Sequence, residues 1–357
     1  YGDHRDLHSF PTRRSSHLVG SIPLPDAETV FRTVSKALGS SLKRIPDGET
    51  GDRSRWIWFQ RAMLESHPDM ELDTAIPPFE VVQWDGKVVR ETQWMKFKDD
   101  ADPSASSFPT RYRDAAAESY QVYARLRDEG VIGPDVRFQV SIPTPMATAY
   151  MYISPSAREA YIPAYERSLA EAISAIVDAI PHDRLAIQWD VCQEVLVFED
   201  YEPFGGRPAD YKQRIFDELA RVGSLVPETV ELGYHLCYGS PADEHLIMPK
   251  DMGILVEIAN GLTSRLSRRL DFLHLPVPKD RTDAAYFEPL RSLNVPESAE
   301  VMLGLVHFDD AQGDAARMAT ASDYLKSFGV ATECGWGRTD PARVPGLLES
   351  HARAAAI

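Results

Sequence analysis

The sequence has little cysteine and no long hydrophobic run. Three of its 357 residues are cysteine, Cys192, Cys237 and Cys334, too few and too odd a number for the disulfide framework of a small secreted protein. No apolar stretch approaches the roughly 20 residues that a helix needs to cross a bilayer. We therefore predict a cytoplasmic protein with reduced thiols and no membrane partner.

Positive charge is also scarce. Lysine and arginine total 38 against 54 aspartates and glutamates, which gives a formal net charge of -16. The field of such a chain repels phosphate backbones, so nucleic acid is not an expected partner. Apolar residues, by contrast, make up 43% of the chain, and at this length they can bury one large core. The oligomeric state stays open.

The chain changes character near its start. The first sixteen residues, Tyr1 to Ser16, are rich in arginine, histidine and serine and show no periodicity, whereas an apolar pattern begins at Leu18. We predict a leader outside the fold over residues 1–16 and one domain over residues 17–357.

Short β-rich runs alternate with amphipathic helical stretches from Leu18 onward, a pattern typical of parallel strands joined by helices. No glycine-rich dinucleotide turn follows the first run, because Gly20-Ser-Ile-Pro-Leu has the wrong spacing, so an open nucleotide-binding sheet is not supported. The pattern favours a single α/β domain, a (β/α)8 TIM barrel. The eight predicted strands lie near Leu18–Ile22, Leu42–Ile45, Arg137–Ser141, Leu185–Trp189, Glu231–His235, Leu270–Leu275, Val301–Val306 and Gly329–Thr332.

One excursion, about residues 67–113, is too long for a simple loop. It contains a predicted hairpin around Asp85-Gly86 and a polar stretch near Asp99–Ser107. A lid over a substrate site and a surface decoration both remain open.

Polar residues concentrate where the predicted strands end, which is where (β/α)8 barrels carry their catalytic side chains. Alternate residues of an extended chain face the same side, so His235 and Cys237 can reach one ion. Cys334, at the end of the last strand, adds a third soft ligand of the kind that Zn²⁺ favours. Inert packing of the two cysteines is the alternative. A zinc ion with three protein ligands keeps a position for a substrate thiol, which it activates for alkylation.

Three acidic or basic residues at other strand ends are candidates for substrate contacts and proton transfer. His307, followed by Asp309 and Asp310, could act as a general acid or be satisfied by a backbone carbonyl. Glu49 and Asp190 could bind the ammonium of an amino-acid-like substrate or be halves of structural ion pairs.

Segments at six strand ends carry a resemblance to a known family. In chain order they are Val19-Gly20-Ser21-Ile-Pro, Asp47-Gly48-Glu49, Ile187-Gln-Trp-Asp190, His235-Leu-Cys237-Tyr, His307 and Glu333-Cys334-Gly. Together they resemble the catalytic barrel of cobalamin-independent methionine synthase and its shorter relatives, within a group that also holds uroporphyrinogen decarboxylase.

The resemblance implies a role for each matching residue. Ser21 would hold the carboxylate of the substrate amino acid, and Glu49 and Asp190 its amino group. The zinc ligands would be His235, Cys237 and Cys334, and His307 would be the catalytic histidine. We take His307 and Asp190 as the catalytic candidates.

The sequence departs from the family pattern at two places. The strand that carries a zinc-binding glutamate in methionine synthase has none here; we rank His274 above Glu257 as the fourth ligand, because Glu257 lies in a predicted outer helix. The family's Asp-Glu-Pro is replaced by Asp190-Val-Cys-Gln-Glu194, and Glu194 joins Ser21, Glu49 and Asp190 as a substrate-binding candidate.

The first hypothesis is a zinc-dependent transferase that activates a homocysteine-like or other small thiol for methyl or alkyl transfer from a small-molecule donor. The second is a metal-free lyase or decarboxylase of the same superfamily, with acid and base steps on His274, His307, Asp190 and Glu194. A barrel that binds ligands without turnover is the third. The sequence identifies neither the thiol nor the alkyl donor.

Overall fold

The structure, a computed structural model, describes residues 14–357. The predicted leader therefore lies outside the described residues over positions 1–13. Arg14 donates its backbone N–H to the carbonyl of Ala355 at 3.0 Å, and Ser16 forms parallel bridges to Leu42 and Val330. Residues 14–16 thus belong to the barrel, so the predicted boundary at Ser16 is too late.

Seven parallel strands form the central sheet, in the order β1-β6-β7-β8-β9-β10-β11. The strands are β1 (Arg44–Pro46), β2 (Met70–Leu72), β3 (Phe79–Val82), β4 (Val88–Thr92), β5 (Met95–Phe97), β6 (Arg137–Pro143), β7 (Leu185–Val191), β8 (Glu231–Leu236), β9 (Phe272–Pro276), β10 (Glu300–Val306) and β11 (Gly329–Thr332). Every residue of β7 and β9 is buried, as expected of strands covered on both faces.

The barrel closes at Ser16, which bridges the segment before β1 on one side and β11 on the other. The predicted first strand, residues 18–22, is extended chain rather than a ladder. Its carbonyls are satisfied by side chains: the Gln139 amide donates to Leu18 and Val19 at 3.0 and 2.9 Å, and the Gln188 amide to Val19 at 2.7 Å. With this modification, the predicted (β/α)8 architecture is confirmed.

Helices cover the sheet between the strands. They are α1 (Ala27–Leu38), α2 (Gln60–Ser66), α3 (Tyr112–Asp128), α4 (Pro145–Tyr152), α5 (Arg158–Ala179), α6 (Gln193–Phe198), α7 (Tyr211–Gly223), α8 (Gly253–Thr263), α9 (Ala284–Phe287), α10 (Ala311–Ser322) and α11 (Val344–Ala355). Asp26 caps α1 by accepting from the Thr29 N–H at 2.8 Å, and Gly39 follows its end at φ 44, two signals that the sequence displays. Among the described residues, no helix is both long and apolar enough to cross a bilayer.

The insertion between α2 and α3 consists of two small antiparallel pairs, β2 with β5 and, inside them, β3 with β4. The β3–β4 turn passes through Asp85-Gly86, with Gly86 at φ 83, as predicted. The Tyr201 hydroxyl bonds both the N–H and the carbonyl of Val82, at 2.7 and 2.8 Å. Because Tyr201 follows α6 at the carboxyl end of the barrel, the insertion lies against the mouth.

Candidate active site

A cavity of about 800 Å³, part of it open to solvent, lies at the carboxyl ends of the strands. Its wall combines the extended first segment, the insertion and the loops after β7, β8 and β11. The polar residues of this wall include Ser21, Glu49, Arg55, Arg90, Asp190, Gln193, His235, Ser240 and Arg338, with the three cysteines Cys192, Cys237 and Cys334.

His235, Cys237 and Cys334 meet at one point of this cavity. His235 lies on β8, and Cys237 follows the strand with its N–H bonded to the Val191 carbonyl at 2.9 Å. The two Sγ atoms are 3.6 Å apart, and Nε2 of His235 is 3.8 Å from Sγ of Cys334. The three ligand atoms all lie within 4.8 Å of one another.

These separations fit a tetrahedral zinc ion. With Zn–S near 2.3 Å and Zn–N near 2.0 Å, a tetrahedron places two sulfurs about 3.8 Å apart and sulfur and nitrogen about 3.6 Å apart. The observed 3.6 and 3.8 Å lie close to those values. Three soft donors at this spacing leave one tetrahedral position for a substrate atom.

The two thiols differ in their affinity for a proton. The pKa of Cys334 lies well below its ordinary value, because Cys237 donates a hydrogen bond to it and the Arg338 guanidinium lies beside it. Hydrogen bonds to Cys192 and Cys334, together with burial, raise the pKa of Cys237. Of the two sulfurs, that of Cys334 therefore carries negative charge more readily.

Arg338 was not found from the sequence. Its Nη2 donates to Sγ of Cys334 at 3.3 Å and to Oγ of Ser240 at 2.6 Å. The one indication of its role in the sequence is its position four residues after Cys334. It lies in a loop, and the conformation of that loop cannot be predicted from the sequence. A guanidinium at this position stabilises negative charge on the sulfur.

His274 lies behind His235 rather than beside the sulfurs. Its Nδ1 is 2.6 Å from Nδ1 of His235, and its Nε2 is 2.9 Å from the Thr332 carbonyl. Both ring nitrogens of His274 thus have hydrogen-bond partners. The three converging ligands do not include His274, although the sequence analysis ranked it as the fourth zinc ligand. Glu257 lies on α8, where it pairs with Lys212 at 2.5 Å, outside the barrel as predicted.

Glu49 and Asp190 are buried carboxylates of the same cavity. Gly20 makes room for Glu49, since an added Cβ there would lie 2.4 Å from Oε1 of Glu49. Burial raises the pKa of Asp190 to about 6, and burial and the charge of Asp190 raise that of Glu49. Within residues 14–357 neither carboxylate forms an ion pair. Arg53, a nearby cation, pairs with Asp47 instead, at 2.5 Å. The pair can therefore receive a cationic group.

Ser21 lines the cavity next to the loop that carries Cys334. Its Oγ accepts from the Gly337 N–H at 3.2 Å, and its carbonyl accepts from the Trp336 N–H at 2.6 Å. The hydroxyl proton remains available to a ligand. Glycine is required at 337, because a Cβ there would overlap the backbone carbonyl oxygen of Ser54 and would also lie 2.9 Å from Cβ of Ser21.

No family model matches the sequence, and no curated protein matches it. Solved structures do match, among them two that align with nearly the whole chain. One is a B12-independent methionine synthase from Shewanella sp. W3-18-1 in complex with selenomethionine, 14% identical with a TM-score of 0.62, covering 97% of each chain. The other is a putative vitamin-B12 independent methionine synthase from Listeria monocytogenes, 15% identical with a TM-score of 0.56, covering 96% of this chain and 98% of that one. This chain has the methionine synthase fold.

In this methionine synthase fold, His307 lines a second cavity that adjoins the first at Ser240, Cys334 and Gly335. Its Nε2 is 3.0 Å from the Val277 carbonyl, and burial lowers its pKa to about 4. The Asp310 carboxylate pairs with Arg317 at 2.8 Å instead of orienting the ring. The carbonyl contact that the sequence left open as an alternative is therefore present.

A charged pair in this second cavity was missed from the sequence. His245 and Glu333 are 2.7 Å apart. Burial alone would lower the pKa of His245, but the Glu333 carboxylate outweighs it and the pKa is raised. His245 lies in the irregular loop after β8, where no periodic pattern marks it, so this contact could not be predicted from the sequence.

The remaining wall of the first cavity is largely apolar and aromatic. Trp56 and Trp58 line it, with the Arg90 guanidinium of β4 stacked 3.9 Å from the Trp58 ring. Both amide atoms of Gln193 are buried without a partner among the described residues. A ligand that fills this wall must therefore present apolar surface and at least one polar group.

Glu194 does not line either cavity, contrary to the expectation that it binds substrate. It lies in the first turn of α6 and is fully buried, and no basic side chain within residues 14–357 forms an ion pair with it. Glu218 of α7 is its carboxylate neighbour. Burial raises the pKa of Glu194 to about 7, so its protonation should make the stability of the fold depend on pH.

The free energy of unfolding is expected to fall as the pH rises from about 4.5 to about 7. In this window the folded chain keeps a proton on Glu194 that the unfolded chain has lost, so each step up in pH favours unfolding. Glu194→Gln should remove the contribution of Glu194 to that slope, leaving those of Asp190 and Glu49, and should be more stable than the parent protein at pH 8 by up to about 3 kcal/mol. Urea unfolding at pH 5 and pH 8 measures both the pH dependence and the gain in stability at pH 8. Glu118→Gln, the same change at an exposed site on α3, is the control. An equal loss of stability from pH 5 to pH 8 in the parent protein, Glu194→Gln and Glu118→Gln would contradict the raised pKa of Glu194.

Proposed function

We propose that the protein is a zinc-dependent transferase that activates a small thiol for methyl or alkyl transfer. The observation that carries the proposal is the convergence of His235, Cys237 and Cys334 at distances that suit one tetrahedral ion. Bound zinc supplies Lewis acidity, which lowers the pKa of a thiol in its open position and yields a nucleophile at neutral pH.

The residues around this point suit an amino-acid thiol. Glu49 and Asp190 bind its ammonium group, because they are two buried carboxylates without a cation of their own among the described residues. Ser21 donates its hydroxyl proton to the carboxylate. Arg338 donates to Cys334 and favours negative charge on its sulfur. Homocysteine or a close analogue has this set of groups.

The alkyl donor is assigned to the second cavity, which reaches Cys334 from the other side. His245, whose charge Glu333 stabilises, holds the proton that the departing donor takes up. His307 is neutral because burial lowers its pKa to about 4, so it acts as a hydrogen-bonding group in the same cavity. The sequence-based role of His307 as the acid is revised accordingly.

Zinc content is the first test. The purified chain is expected to contain about one zinc per molecule by elemental analysis, as one three-ligand site holds. A screen of small thiols against methyl and alkyl donors should then show thiol alkylation that stops when a chelator removes the metal. A chain that turns over a carboxylate substrate without any metal would instead support the lyase or decarboxylase hypothesis.

A further inference from the structure

Two histidines form one hydrogen-bonded unit between neighbouring strands. His235 of β8 and His274 of β9 are register partners, their ring centroids are 4.7 Å apart, and their Nδ1 atoms are 2.6 Å apart. Two nitrogens at this distance must share a proton, since two lone pairs would repel each other. One ring therefore donates and the other accepts.

The direction of that hydrogen bond follows from the far side of His274. A backbone carbonyl only accepts, so Nε2 of His274, 2.9 Å from the Thr332 carbonyl, carries a proton. A second proton on Nδ1 would create a cation on a fully buried ring that, among the described residues, no carboxylate bonds, which is costly. His274 therefore accepts at Nδ1, and His235 donates from Nδ1.

We propose that His274 is a positioning residue that fixes His235 in the tautomer whose Nε2 lone pair points at the cysteine sulfurs. This inference rests on the proposed zinc site and deepens it, since it assigns His274 to the outer shell rather than to the metal. Nε2 of His235 is the atom that lies 3.8 Å from Sγ of Cys334. An imidazole whose other nitrogen donates a hydrogen bond is a better and more rigid metal ligand.

The unit also ties the two ligand-bearing strands together. Thr332, which accepts from His274, is the last residue of β11. Its hydroxyl donates to the Cys334 carbonyl at 2.8 Å and accepts from Nε1 of Trp336 at 2.8 Å. One residue thus anchors the His274 ring and the turn that carries Cys334. Loss of His274 should loosen both His235 and the position of the turn relative to it.

The test compares zinc affinity in two His274 variants. His274→Leu removes both hydrogen bonds and should weaken binding about 10–100-fold in competition with a chelator. His274→Gln offers a carbonyl to His235 and an N–H to Thr332 at once, so its affinity should stay within a few-fold of the parent protein. His67→Leu is the matched control, because His67 is also buried and bonds the Ser107 carbonyl through Nε2 at 3.0 Å, far from the site.

Two spectroscopic readouts separate this inference from the proposed function. Zinc-edge X-ray absorption should count one imidazole in the parent protein; two would make His274 a ligand and overturn the inference. In the metal-free protein, nitrogen-15 NMR should show His235 protonated on Nδ1 only, and the opposite tautomer would overturn it. Equal affinity of the leucine variant and the parent would do the same. A parent that binds no zinc but shows the expected tautomer overturns the transferase proposal alone.

Discussion

Cys237→Ser is expected to abolish zinc binding, and thiol alkylation with it, while the barrel stays folded. A structural zinc site is worth about 10–16 kcal/mol, so one thiolate of the set contributes about 3 kcal/mol or more, a factor of at least about 100 in affinity. Serine supplies a hydroxyl that remains protonated at neutral pH and is a poor zinc ligand. The measurement is the zinc-to-protein ratio after dialysis, with circular dichroism to verify the fold.

Cys192→Ser is the matched control for this change. Cys192 lines the same cavity and is buried like Cys237, but it is not one of the three converging ligands. The Cys192→Ser protein should keep its zinc, although it too has lost a thiol from the wall of the first cavity. Equal zinc loss in both variants would place Cys192 in the coordination sphere and contradict the three-ligand site; full zinc retention in Cys237→Ser would remove the basis of the proposed function.

The metal ligands could be predicted because the residue spacing within a strand and the order of the strands in the barrel together decide where they lie. The two-residue spacing of His235 and Cys237 at a strand end already places their side chains on one face. The predicted parallel order of the strands then brings the end of the last one, β11, and with it Cys334, to the same rim. Cys237 and Cys334 lie within two residues of a strand end, so the strand order largely decides their position, and the structure brings the three residues together.

His274 was predicted to lie beside His235, but as a zinc ligand rather than as a hydrogen-bond partner of that ring. The strand period puts its side chain next to His235, but periodicity does not give the direction of a ring. That direction follows from the Thr332 carbonyl, which takes one of its nitrogens. Glu194 differs for a related reason: α6 begins directly after β7 and turns this side chain away from the mouth, toward Glu218.

The first strand could not be anticipated in its true form. Residues 18–22 have a strand-like sequence, but the amides of Gln139 and Gln188 take the carbonyls that a ladder would use. Long-range side-chain contacts of this kind leave no periodic trace in the segment itself. The same holds for Arg338 and His245, whose roles depend on loops that only the folded chain brings to the thiols and to Glu333.

Glu49→Gln is expected to remove the preference of the protein for thiols that carry an amino group. A hydrogen bond to a charged group contributes about 1.5–3 kcal/mol, so the affinity for homocysteine should fall about 10–150-fold. The affinity for 4-mercaptobutyrate, which lacks the amino group, should hardly change. Titration calorimetry with both thiols and both proteins gives the four dissociation constants of the cycle.

The fold should survive this substitution, because burial and the charge of Asp190 already raise the pKa of Glu49 and the amide removes an unpaired buried charge. Asp309→Asn is the control: it makes the same acid-to-amide change at another left-handed residue, φ 53 against φ 47 at Glu49, on the exposed rim of the second cavity. Its dissociation constants for the two thiols should equal those of the parent protein. An equal loss of affinity for both thiols in Glu49→Gln would mean that the carboxylate shapes the cavity rather than binding the ammonium group.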